Sequence, residues 1–150
     1  MPETILEVSD LTVSFDGFKA VDSLNLSIDK DELRVVIGPN GAGKTTLFRL
    51  LLDLIKANQG EILSKDQNVA TTENWKRYTA AYLDEGFLID YLTPEEYFYF
   101  IGKLNNRSKA DVDEFLKSYE IFFDGSVLKS GKYIRELSQG NQFKVGIAAC

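Results

Sequence analysis

At 150 residues, 44% hydrophobic and 27% charged, the chain has the size of one ordinary domain and is too apolar for a disordered segment. Its net charge of −6 argues against a broad nucleic-acid surface, which is ordinarily basic, yet leaves room for a phosphate site made of backbone amides and one lysine. The single cysteine, Cys150, excludes an internal disulfide and suits a reducing compartment, and no run approaches the roughly 20 apolar residues that cross a bilayer.

Met1-Pro2-Glu3-Thr4 lacks the basic start of a signal peptide. Ile5 to Phe15 alternates in part, with Leu6, Val8, Leu11, Val13 and Phe15 apolar, and predicts one or two strands interrupted at Ser9-Asp10. Asp16-Gly17 predicts a turn. Leu24, Leu26 and Ile28 predict a further strand, turned by Asp29-Lys30-Asp31. Leu33 to Ile37 is nearly all apolar, as in a buried strand of a mixed or parallel sheet. From Gly43 the pattern is helical, with Leu47, Leu50, Leu51, Leu54 and Ile55 on one face and a stop at Asn58 to Gly60. Glu61 to Leu63 and Tyr78 to Leu83 predict short strands. Pro94 suits a first helical turn capped by Thr93, with Glu95 and Glu96 near its positive end. Further helices are predicted over Lys109 to Tyr119 and Gln139 to Ala149. A strand-rich first part thus precedes a helical second part.

The chemistry concentrates at Gly38-Pro39-Asn40-Gly41-Ala42-Gly43-Lys44-Thr45, which fits the phosphate-binding Walker A pattern between an apolar strand and an amphipathic helix. Its glycines allow the chain to curl around phosphates, and several amides and the helix N-terminus then face the anion. Lys44 is placed to reach the β- and γ-phosphates and the Thr45 hydroxyl to meet Mg²⁺. The competing reading, a glycine-rich turn before a helix, would match the four fixed positions by accident in roughly 1% or fewer of chains this long.

With Thr46 included, the loop resembles that of ATP-binding cassette (ABC) transporter ATPases, and Leu137-Ser138-Gln139-Gly140-Asn141 resembles their signature motif. The resemblance implies an α/β P-loop NTPase fold of the ABC ATPase type, with an N-terminal antiparallel β region and a helical insert. Residues 1–83 would form the β-rich region and P-loop core, and 84–150 the insert and signature region. It implies ATP and Mg²⁺ as ligands, held by Gly38, Asn40, Gly41, Ala42, Gly43, Lys44, Thr45 and Thr46. Phe15 falls where an aromatic ring stacks on adenine, unless it closes the strand end as a core residue. Val21 falls beside the base. The glutamine that meets Mg²⁺ in the family is replaced, its position falling on Asp84 or Glu85, either a metal ligand or a solvated loop acid. In the signature, Gln139 stands for a glycine and Asn141 for a glutamine, whereas Ser138 and Gly140 are retained. Ser138 would donate to the γ-phosphate held by a second ATPase subunit, although an N-cap serine reads the same way.

The implied partners are that second subunit, in a head-to-tail dimer, and a transmembrane permease. The implied location is cytoplasmic, at the inner face of the membrane. The family's apolar Walker B strand with its aspartate, catalytic glutamate and switch histidine have no counterpart in these residues, which hold no histidine. The C-terminal part of the core sheet is therefore expected to be missing, the chain to be truncated, and nucleotide binding to occur with little turnover. Without parallel neighbours, the apolar face of Leu33 to Ile37 is expected to stand open. The stretch Phe15 to Ala20 through the loop resembles uptake-type cassettes, and Glu85 to Tyr97 resembles export-type ones, as a chain of mixed ancestry would. Other readings are a non-transport cassette ATPase, a nucleotide-binding module without turnover, and a nonfunctional gene fragment.

Overall fold

The computed structural model describes residues 3–150, the side chain of Glu85 excepted. The chain divides into two compact units, Met1–Thr79 and Ala80–Cys150.

The first unit is built on a four-stranded antiparallel sheet of order β2-β1-β3-β4. Its strands are β1 (Thr4–Phe15), β2 (Phe18–Asp29), β3 (Gln59–Ser64) and β4 (Gln67–Asn68). The predicted interruption at Ser9-Asp10 is a bulge within one strand, not a break. Asp10 has φ 48° and the pairing of β1 with both neighbours shifts there. Gly60 lies against that bulge, where a Cβ would come within 2.5 Å of the Ser9 and Asp10 carbonyl oxygens. Asn58 ties β3 to β1, its amide donating to the Thr12 carbonyl and its side chain accepting from the Ser14 amide.

Helix α1 (Lys44–Leu51) lays Leu47 and Leu50 against Val8, Leu11, Val13, Val21 and Ile62. It is shorter than predicted, because the chain turns at Leu52 and Asp53 takes φ 52°. The core is completed by Trp75 on a 3-10 turn, Asn74–Arg77. Its indole N–H donates to the carbonyls of Val69 and Thr72, so the ring is buried with its polar edge satisfied.

Two predicted strands do not form. Residues 33–37 join no ladder, and Leu33 and Ile37 are 90% and 88% exposed. The expected burial therefore fails, while the open apolar face expected of a chain without parallel neighbours is present. The physical cause is that such a strand needs a partner on each flank, and every pairing in this sheet is antiparallel and made by β1 to β4. Tyr78 to Leu83 likewise carries no strand. Tyr78 instead donates its hydroxyl to the Ser64 carbonyl.

The second unit is helical: α2 (Pro94–Leu104), α3 (Lys109–Ser118), α4 (Glu120–Phe123) and α5 (Gln139–Ala148). Thr93 caps α2 as predicted and makes a reciprocal capping box with Glu96, and Ser108 does the same for α3 with Asp111. The helices enclose Phe98, Val112, Leu116, Phe123, Val127, Ile134 and Val145. Gly146 of α5 sits where a Cβ would fall 2.3 Å from the Tyr82 ring, so the helix rests directly on that aromatic face. Among the described residues no helix is long and apolar enough to cross a membrane.

Candidate functional site

The loop from Gly38 to Gly43 is fixed at three points. The Ala42 amide donates to the Pro39 carbonyl at 3.2 Å, closing a tight turn. Gly43, the N-cap of α1, has φ 83° and gives the helix no side-chain cap. A Cβ on it would lie 2.3 Å from the Ala20 carbonyl oxygen and 3.6 Å from Cγ2 of Val21, so the loop is seated on β2 through a position that admits only hydrogen. The third point is Lys44. Its ammonium folds back into the loop and donates to the carbonyls of Gly38 at 2.6 Å and Pro39 at 2.7 Å.

This arrangement fits a polyphosphate. The amides of the first helical turn, Lys44 to Thr46, have no carbonyl one turn upstream to bond and stand at the positive end of α1. Lys44 brings a full charge into the same concavity. Gly41 shares Gly43's φ of 83° but would place a Cβ in open space, leaving that part of the loop accessible. Asn40, Ala42 and Thr45 are exposed and Thr46 is half-buried.

The other expected residues fall as follows. Phe15 ends β1 with half its surface exposed, opposite Phe18. Val21 is buried beneath the loop, packed in the core with Val13 and Leu47. Asp84, in the second unit, is exposed, and its Oδ1 accepts the Gly86 amide at 2.9 Å in a short turn. The Glu85 side chain lies outside the described residues. Among those described, no cluster of three His, Cys, Asp or Glu is placed to hold a metal ion.

In the signature stretch, Leu137 is buried and anchors the segment. Ser138 is the N-cap of α5, its hydroxyl accepting the Asn141 amide at 3.4 Å while remaining exposed. Gly140 lies in the first turn of α5, where a Cβ would meet nothing within 4 Å.

A glycine-rich loop that runs into a helix, with a lysine at the helix start and a seated glycine before it, is the loop of a P-loop NTPase fold. Comparison with known proteins narrows the class. The family model described as "ABC transporter" matches residues 21–150. The chain belongs to that family. It is 32% identical over 146 residues to the spermidine/putrescine import ATP-binding protein PotA of Nitrosomonas europaea, covering 96% of this chain and 40% of that protein. Its fold matches CbiO1 of Clostridium perfringens, part of the ABC transporter complex CbiONQ, with TM-score 0.72 and 22% identity over 98% of this chain and 61% of that one. An ATP-binding cassette of an ABC transporter in its ADP conformation matches with TM-score 0.69 and 25% identity, over 97% and 63% of the two chains. The chain thus spans about 40% of this curated relative.

Proposed function

We propose that this chain binds Mg-ATP at residues 38–46 and serves as the nucleotide-binding part of an ABC transporter ATPase. The observation that carries the reading is the loop itself, with Gly43 seated on the Ala20 carbonyl and the Lys44 ammonium held inside the curl. Phosphate oxygens would displace the two weakly polarised carbonyls from the ammonium and gain charge-assisted hydrogen bonds in return. Thr45, at the mouth of the loop, is the Mg²⁺ contact. Asp84 and Glu85 are the candidates for a second one.

In the whole protein, the reading assigns Ser138 and Gly140 to the phosphates of a nucleotide held by a second ATPase subunit in a head-to-tail dimer. ATP then supplies contacts that neither subunit has alone, and binding favours closure. Hydrolysis and product release would reopen the pair and drive a permease, which places the ATPase at the inner face of a membrane. Division at residue 83 into P-loop core and insert with signature belongs to the same proposal.

Calorimetry with Mg-ATP tests the site. The wild-type chain is expected to bind, and Lys44→Ala to weaken binding at least about 10-fold, the loss of one hydrogen bond to a charged group. A folded wild-type chain with no affinity for Mg-ATP, or unaltered affinity in Lys44→Ala, overturns the reading.

A further inference from the structure

We propose that Arg34 is a positioning residue for the phosphate loop, its guanidinium clamping onto β2 the segment that feeds residues 38–46. The inference rests on the phosphate-loop reading above and adds a residue which that reading does not use.

The segment depends on this clamp because it has no other polar hold. Residues 33–37 join no ladder, and among the described residues none of their backbone amides or carbonyls is hydrogen-bonded. Their apolar side chains add little, since Leu33 and Ile37 face solvent almost entirely and Val35 is 67% exposed. Arg34 alone of the five reaches the sheet by a hydrogen bond. Its Nη2 donates to the Ser27 carbonyl of β2 at 3.2 Å, and its Nε donates to Oε1 of Glu32 at 2.5 Å, with Nη2 paired to the same carboxylate oxygen. Glu32 is itself fixed. Its Oε2 accepts the Asp29 amide at 2.9 Å, and its own amide donates to the Asp29 carbonyl at 3.1 Å. The Asp29 amide, and then Arg34, hold the Glu32 carboxyl below its ordinary range, so the clamp has its anion at neutral pH. The guanidinium thus bridges the turn that ends β2 and the edge of the strand itself.

This clamp is one end of an arch. At the other end Gly43 rests on the Ala20 carbonyl, also of β2. Ser27 and Ala20 are seven residues apart on that strand, roughly 20 Å. The chain from Arg34 to Gly43 reaches at most about 30 Å when fully extended, and the tight turn between Pro39 and Ala42 shortens it. Two anchors at this separation leave the loop little slack. Released at Arg34, the segment would be tethered only through Gly43 and α1. Gly38 and Pro39, whose carbonyls hold Lys44 inside the curl, would move with it. The fraction of chains with the loop in its binding conformation then falls, and the apparent Kd rises in proportion. Arginine suits the task because its planar fork meets two acceptors in fixed directions, whereas a lysine ammonium keeps the charge without that geometry.

The experiment is calorimetry with Mg-ATP and with Mg-tripolyphosphate, which has no base, on the wild type, Arg34→Ala and Arg34→Lys, with thermal unfolding of each chain without ligand. Arg34→Ala is expected to weaken both ligands equally, by about 3- to 5-fold, the scale of one well-oriented exposed ion pair. Its melting temperature is expected to shift by less than about 3 °C, because the segment it frees carries no ladder and no buried side chain. Arg34→Lys is expected to recover only part of the lost affinity. Unchanged affinity in Arg34→Ala overturns the proposal. So does full recovery in Arg34→Lys, which would make the effect one of charge alone, and so does a loss of affinity matched by a large fall in melting temperature, which would make it one of folding. All three leave the phosphate loop in place. A folded wild type that binds neither ligand overturns the phosphate-loop reading and this one with it.

Discussion

Two glycines of the loop share a backbone conformation and differ in surroundings, which allows the seating of the loop on β2 to be measured. Gly41 and Gly43 both have φ 83°, so an alanine at either pays the left-handed penalty of about 1–2 kcal/mol. At Gly41 that is the whole intramolecular cost, because the new Cβ meets nothing within 4 Å. At Gly43 the Cβ would stand 2.3 Å from a backbone carbonyl oxygen, and relief requires the loop or the Ala20 bulge to move by roughly 1 Å. Overpacking of this kind adds about 1–3 kcal/mol. Gly41→Ala should therefore lower the melting temperature of the nucleotide-free chain by about 4 °C and Gly43→Ala by about 10 °C. The assay is thermal unfolding followed by circular dichroism without ligand, which separates packing from any effect on phosphate. Equal drops for the two variants, or a milder one for Gly43→Ala, would refute the seating.

Further outcomes follow from the helix ends. Thr93→Ala removes one half of the α2 capping box and should cost about 1 kcal/mol, read as a shift of about 2–4 °C in the melting temperature. The Ser108 hydroxyl, and then its backbone amide, hold the Asp111 carboxyl below its ordinary range. A depressed folded-state value means that its contribution is present above the unfolded value and is lost as pH falls through the folded one. An acid titration of stability should therefore show a component in the acidic carboxylate range that disappears in Asp111→Asn. Gly140→Ala should raise the stability of α5 by up to about 1 kcal/mol while weakening ATP-dependent self-association, measured by sedimentation with and without Mg-ATP.

How far the sequence could be read depends on where each element finds its partner. The β1–β2 hairpin, α1, β3 and the capped starts of α2 and α3 are specified by signals within a few residues: an Asp-Gly turn, a periodic leucine face, a Thr or Ser followed three residues later by an acid. Those elements form, with β2 starting earlier than its alternation marked, at Phe18, and α1 ending earlier than its leucine face, at Leu51. Leu33 to Ile37 and Tyr78 to Leu83 have equally strong apolar patterns, yet a strand is completed by its neighbours, and the pattern says nothing of whether they are present. The loop was legible because its chemistry is local. Its seating was not, since nothing in Ala20 marks it as the bulged residue whose carbonyl excludes a Cβ at Gly43.

The glycines themselves separate what the fold requires from what it leaves unexplained. Gly43, Gly60, Gly102 and Gly146 are held by sterics, each with a neighbouring atom closer than 3 Å to where a Cβ would be. Gly17, Gly41, Gly125 and Gly131 are held by positive φ. Gly38 and Gly86 sit against close neighbours, Cβ of Ala42 and Oδ1 of Asp84. Gly140 alone of the eleven has neither reason. It lies in the first turn of a helix, where glycine is less favourable than alanine by up to about 1 kcal/mol, and two residues from the exposed Ser138 hydroxyl. A residue that weakens its own helix without relieving any contact within the chain makes sense if something outside the chain approaches the backbone there. A phosphate held by another subunit would do so, and it is the ligand class that a serine hydroxyl and a helix N-terminus together suit.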